Sequence, residues 1–177
     1  MRRSSLKWQR RGTTVVEVAF VLPVFILLLF GLFEFGRFFN AMNMVNGAAR
    51  EAARVASTEG GTKAEAEAAI RAQLAPLTNA DNLTIYVKDM SAYEDTSSFP
   101  DSVSGLPELF TEQVNGESQE KIVDPGQLFV VRVELPFSSV ALLTPQFISG
   151  NFVLRGQAVM RHEGKNPNGL GTSVLTN

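Results

Sequence analysis

The stretch that decides the fold is "RRGTTVVEVAFVLPVFILLLFGLFEFGRFF", residues 10–39. From Val15 to Phe33 it is apolar except for one acid, Glu17, over 19 residues. At about 1.5 Å of rise per residue such a helix covers roughly 28 Å, close to the hydrocarbon thickness of a bilayer. Arg2, Arg3, Lys7, Arg10 and Arg11 precede it, and no base follows before Arg37. That one-sided flank predicts a membrane helix with the N-terminus cytoplasmic and everything after Phe39 periplasmic or outside. A cleavable secretory signal would have a shorter apolar core and a small-x-small site, which "EFGRFFN" does not offer. A buried helix of a soluble protein fits the apolarity but not the basic flank.

Composition narrows the classes further. Seven of the 13 phenylalanines fall in the first 40 of 177 residues. Once the five leader bases are set aside, the remainder carries 11 basic and 18 acidic side chains. The basic cluster is therefore a short leader and not the face of a folded domain, which argues against a nucleic-acid binder. The absence of cysteine excludes disulfides, zinc-thiolate sites and cysteine catalysis, and leaves the compartment undecided.

Beyond the apolar run, "NAMNMVNGAAREAARVAS" keeps Ala41, Val45, Ala48, Ala52, Val55 and Ala56 at helical spacing until Gly60 and Gly61. A helix over residues 13–57 is predicted, about 67 Å long, half in lipid and half projecting. Its projecting half is dominated by alanine, whose small side chain lets neighbouring helices approach closely. Glu51 and Arg54 are placed to pair at i,i+3. In "TKAEAEAAIRAQLAP", Thr62 and Glu65 form a candidate capping box and Pro76 a stop, predicting a second, short helix.

"LTIYVKDM" is a strand candidate. In "QLFVVRVELPF", Phe129, Val131, Val133, Leu135 and Phe137 alternate onto one face, with Arg132 and Glu134 opposite. In "NFVLRGQAVMRHE", Phe152, Leu154, Ala158 and Met160 oppose Arg155, Gln157 and Arg161. These two strands are expected to be antiparallel neighbours, their apolar face covered by one of the helices. Residues 91–120 hold seven acids and no base. Their spacing matches no calcium loop, so they read as a solvated acidic surface loop with one turn near "LPELF". The fold expected is α+β: a long N-terminal helix, a short second helix and a small antiparallel sheet. Its parts are a leader at 1–12, a helix at 13–57, a domain at 62–163 and a flexible Gly- and Asn-rich tail at 164–177.

The arrangement of glycine and acid is the most specific motif. "RRGTTVVEV" puts Gly12 directly after the basic patch and Glu17 five residues on, resembling the processing site of type IV pilins and pseudopilins. More closely, residues 12–56 resemble the TadE-like family of the tight-adherence (Tad, Flp) pilus system. The likeness rests on Gly12 and Glu17, on Pro23 in the "VLP" step, on "EFGR" and on "AAREAAR". "VVRVELPF" and "LRGQAVMRHE" bear a looser likeness to the strands that close that family, and the middle of the chain has almost none. The chain departs from the pattern at Val18, where relatives commonly carry an aromatic residue.

The resemblance implies a minor pilin or pseudopilin, made as a precursor and cut between Gly12 and Thr13 by a membrane aspartyl prepilin peptidase. It implies an inner-membrane, single-pass location and entry into or anchoring of a pilus. Its partners would be other pilins and Tad assembly components, and its role adherence and biofilm formation. Cleavage would expose an ammonium group at Thr13 one helical turn from Glu17, so the two charges lie at similar depth on one side of the helix. Between subunits, Glu17 of one chain can meet the Thr13 amine of the next. An unpaired charge in lipid costs several kcal/mol, so pairing on docking favours assembly in register.

Blander roles stand beside these. Glu17 can snorkel to the headgroups, and Pro23 can kink the helix or simply be tolerated in it. Glu34 and Arg37 are expected to form an interfacial ion pair at the membrane exit, and His162 reads as an ordinary exposed residue. No catalytic constellation, metal-ligand cluster or cofactor motif is visible, so no enzyme activity is expected. Two other readings remain open: an unprocessed single-pass adaptor with a periplasmic binding domain, and a membrane-tethered enzyme.

Overall fold

A computed structural model describes residues 11–94, 100–114, 117–121, 123–142 and 152–163. The basic leader at 1–10 and the tail at 164–177 lie outside the described residues.

Helix α1 runs from Arg11 to Ser57, 47 residues, and continues through Pro23. At helical rise it is about 70 Å long. It ends where "STEGG" supplies the left-handed residue a helix terminus needs: Gly60 has φ +79°. A Cβ on Gly61 would lie 2.5 Å from the Val55 carbonyl oxygen, so only glycine lets the chain turn back this tightly. Thr62 then caps α2 (Lys63–Leu74). Its hydroxyl accepts from the Glu65 amide, and the Glu65 carboxylate accepts from the Thr62 amide, which is the capping box read from the sequence. Pro76 follows the C-cap, Ala75.

Five strands follow: β1 (Thr84–Asp89), β2 (Thr111–Val114), β3 (Glu117–Glu120), β4 (Leu128–Pro136) and β5 (Val153–Arg161). β1, β4 and β5 form one antiparallel sheet in that order, with Val131 opposite Val87 on one side and Ala158 on the other. β2 and β3 form a separate hairpin. The architecture is α+β, as the sequence predicts.

The sheet packs its apolar face on the upper half of α1, and α2 packs beside it. Ala41, Val45, Ala48, Ala49, Ala52, Ala53 and Ala56 are all fully buried, with Ile70 and Leu74 of α2 and Phe129, Val131, Val133, Leu135 and Leu154 of the sheet. The alanine extension thus finds its close neighbours within its own chain. Contact is tightest at β5, where a Cβ on Gly156 would lie 2.4 Å from the Val45 carbonyl oxygen. Glycine there lets helix backbone and strand backbone touch.

Two features of residues 91–120 depart from the expected solvated loop. The stretch forms the β2–β3 hairpin, and it covers the second face of the sheet. Met90, Val103 and Val130 make a buried cluster, with Tyr86, Tyr93, Leu106 and Leu128 packed around it. Arg132, expected to point into water, is consequently buried. Its Nη1 donates to the Asp101 carbonyl at 2.7 Å, and its Nε and Nη2 donate to the Gln157 side-chain oxygen at 2.9 and 2.6 Å. Two buried faces, one apolar and one mixed, explain why alternation alone mistook the second side for solvent.

Candidate functional site

The candidate site lies along the lower half of α1 and where that half meets the domain. Every residue from Thr14 to Phe33 is exposed. Phe20 is 77% and Phe33 is 68% exposed, so no part of the chain's own described core covers this surface. It holds the one described stretch long and apolar enough to cross a membrane.

Gly12 and Thr13 fall in the first turn of α1. Glu17 follows about one turn later, exposed, and beside it Val18, Val21, Leu22 and Phe25 line a shallow groove. In the intact chain position 13 carries a peptide amide. The ammonium group that would pair with Glu17 exists only after cleavage.

The expected ion pair between Glu34 and Arg37 is not formed; among the described residues no ion pair joins them. Each side chain instead holds the turn that follows β4, a 3-10 turn at Phe137–Ser139. Both carboxylate oxygens of Glu34 lie 3.2 Å from the Leu142 amide, which donates to them. Arg37 donates from Nη2 and Nε to the Val140 carbonyl, at 2.7 and 3.2 Å. Among the described residues these two backbone groups have no other partner, and an unpaired amide or carbonyl away from water costs more than a surface ion pair gains. Glu34 is buried by this contact. Spacing within one helix could not reveal it, because the partners lie more than a hundred positions away.

Around this turn an aromatic cluster joins helix to sheet. Phe38 contacts Phe137 at 5.6 Å and Phe152 at 5.7 Å between ring centroids, and Phe35 and Phe39 extend the cluster along α1 at 4.7 Å from each other. Beside it a cavity of about 210 Å³ is lined by Arg37, Asn40, Met44, Pro76, Leu77 and Val140.

His162 also departs from expectation. It is buried, and its Nδ1 has no hydrogen-bond partner among the described residues. Its backbone pairs with the 126–127 turn.

These features define a class: an α+β domain built around the distal half of a helix whose proximal half is apolar and, among the described residues, unpartnered. Residues 12–54 match the model of the TadE-like protein family, the family the sequence resemblance indicates. The match starts at the glycine of the "RRG" step and ends within the last turn of α1, so it follows the helix and leaves the sheet outside it. No curated protein and no solved structure matches the chain.

Proposed function

We propose that the chain is a minor pilin or pseudopilin of the Tad (Flp) pilus system. It is made as a precursor, inserted in the inner membrane through α1 with its N-terminus cytoplasmic, and trimmed between Gly12 and Thr13 by a prepilin peptidase. The domain beyond Phe39 faces the periplasm and meets other pilins and assembly components, in the service of adherence and biofilm formation. The protein does no chemistry of its own; it is a substrate and then a subunit.

The observation that carries this reading is the family match beginning at Gly12, on a helix whose first half meets no partner among the described residues. Cleavage gives that half a positive end one turn from Glu17. In a bundle of such helices each Glu17 can pair with a neighbour's new amine. Because an isolated charge at this depth is costly, the pair selects one register.

The deciding measurement is the intact mass and N-terminal sequence of the protein extracted from membranes. A chain beginning at Thr13 is expected; a working form that retains Met1 favours the unprocessed adaptor. Gly12→Glu should leave the longer species in the membrane, and normal maturation of that variant would remove the cleavage assignment. Glu17→Ala should still be trimmed but enter pili poorly. Unchanged piliation would sink the charge-pairing idea while leaving the cleavage intact.

A further inference from the structure

The turn after β4 meets α1 at a depth the apolar run still occupies. Leu142 donates its amide to Glu34, and helical side chains lean toward their helix N-terminus. Leu142 therefore lies level with the turn holding Phe33, beside the apolar run and not beyond it. Its side chain is 65% exposed there, and Phe35, Phe39 and Phe152 are 60, 50 and 50% exposed.

From these facts we propose that the β4–β5 end of the domain is seated in the headgroup boundary of the bilayer, with phospholipid as its partner. This rests on the reading of α1 as a membrane helix. The exposed apolar surface is continuous with the span itself. Among the described residues of that end, 137–142 and 152–154, none is charged. At the opposite end of the sheet Arg161 pairs with Glu94 and Lys121 with Asp89, and the charges nearest the seat, Glu134 and Arg155, pair with each other.

The two charges at this depth are accounted for. The Glu34 carboxylate takes the Leu142 amide and the Arg37 guanidinium takes the Val140 carbonyl, so the turn brings no unpartnered backbone group toward lipid at these positions. The lengths agree as well. From Val15 to Phe39 the helix spans about 37 Å, more than the roughly 30 Å hydrocarbon core, which puts Phe35–Phe39 at interfacial depth. Glu34 and Arg37 therefore act as a clamp that fixes the domain's seat on the membrane, not as markers of a helix exit into water.

Single-tryptophan probes in the full chain test this. Trp8 is the sole tryptophan, so W8F gives a silent background in which L27W reports the span, F152W and L142W the seated end, and E163W the far end of the sheet. Each is reconstituted in phosphatidylcholine–phosphatidylglycerol vesicles whose acyl chains are brominated at shallow or deep positions. F152W and L142W should emit blue-shifted from E163W and lose most fluorescence to the shallow bromines, while L27W loses most to the deep ones. Quenching of L27W without quenching of either F152W or L142W overturns the seat and leaves the span standing. A blue shift without quenching also overturns it, because a protein surface then covers this end. If L27W too escapes quenching, the membrane reading fails and takes this proposal with it.

Discussion

The two halves of α1 are one continuous helix in two different surroundings. In the lower half, residues 14–33 are mostly large and apolar, with Glu17 the one acid, and all of them are exposed. In the upper half the helical stripe is mostly alanine, and seven of its positions from Ala41 to Ala56 are fully buried. Side-chain size separates the two. Alanine has little surface to bury, so its value lies in letting α2 and β5 come close, as Gly156 against Val45 shows. Phenylalanine and leucine expose too much apolar area to remain in water and have no partner in the described chain. The upper half is the core of the domain; the lower half awaits lipid or neighbouring helices.

The sharpest way to break that comparison is to make the same change in α2, which covers the upper half, and in the lower half itself. Leu74→Ala empties a fully buried site under the alanine stripe and should cost about 2–5 kcal/mol of domain stability. Leu27→Ala removes an exposed leucine and should change it by less than about 0.5 kcal/mol. Hydrogen exchange of the β4 amides in detergent-solubilised protein reads both. Equal effects would mean that the two halves share one core.

Much of this division is legible in the sequence. The apolar run, the helix end at Gly60, the Thr62 capping box and the β4–β5 alternation all arise from local periodicity or local hydrogen bonds, which neighbouring residues specify. What escaped notice was non-local. The partners of Glu34 and Arg37 are backbone groups of a distant turn, so spacing within the helix could only suggest an ion pair. Buried Arg132 is held by the Asp101 carbonyl, and His162 pairs its backbone with Gly126 and Gln127, partners far away in the chain. The β2–β3 hairpin did have a signal, the Asn115-Gly116 dipeptide between two short runs, but the acids around it masked the pattern. For the candidate site the gain was similar: Gly12 and Glu17 stand out by spacing, whereas the role of the aromatic cluster does not.

Acid should loosen the domain and sharpen the contrast by a second route. Glu108 accepts from Lys88 Nζ at 2.5 Å and from Lys63 Nζ at 3.2 Å, tying β1 and α2 to the covering segment. Partial burial pushes its carboxyl up, but the two ammonium groups outweigh that and hold it below its ordinary value. Asp89 is likewise pushed up by partial burial but held low on balance, by Ser91, Lys121 and Gln127. With folded values depressed, the stability from these groups is fully present above the ordinary carboxylate range. It is lost as pH falls through that range and on through the depressed values, from about pH 4 downward. Exchange protection in β1 and β4 should fall there while amides of the 14–33 helix in detergent stay protected. Glu108→Gln should flatten part of the decline; an undiminished decline in that variant would place the acid sensitivity elsewhere.

A more local effect concerns the start of α2, whose Ala66, Ile70 and Leu74 cover the alanine stripe. Thr62→Ala removes the hydroxyl that accepts from the Glu65 amide and should cost about 1 kcal/mol. Thr62→Ser keeps that oxygen and should recover most of the loss. The effect should appear as faster exchange in the first turn of α2, with a smaller response in the upper half of α1 and none in residues 14–33. If the lower half responded as well, the single helix would be transmitting strain along its length, and its two halves could not be treated as separately solvated bodies.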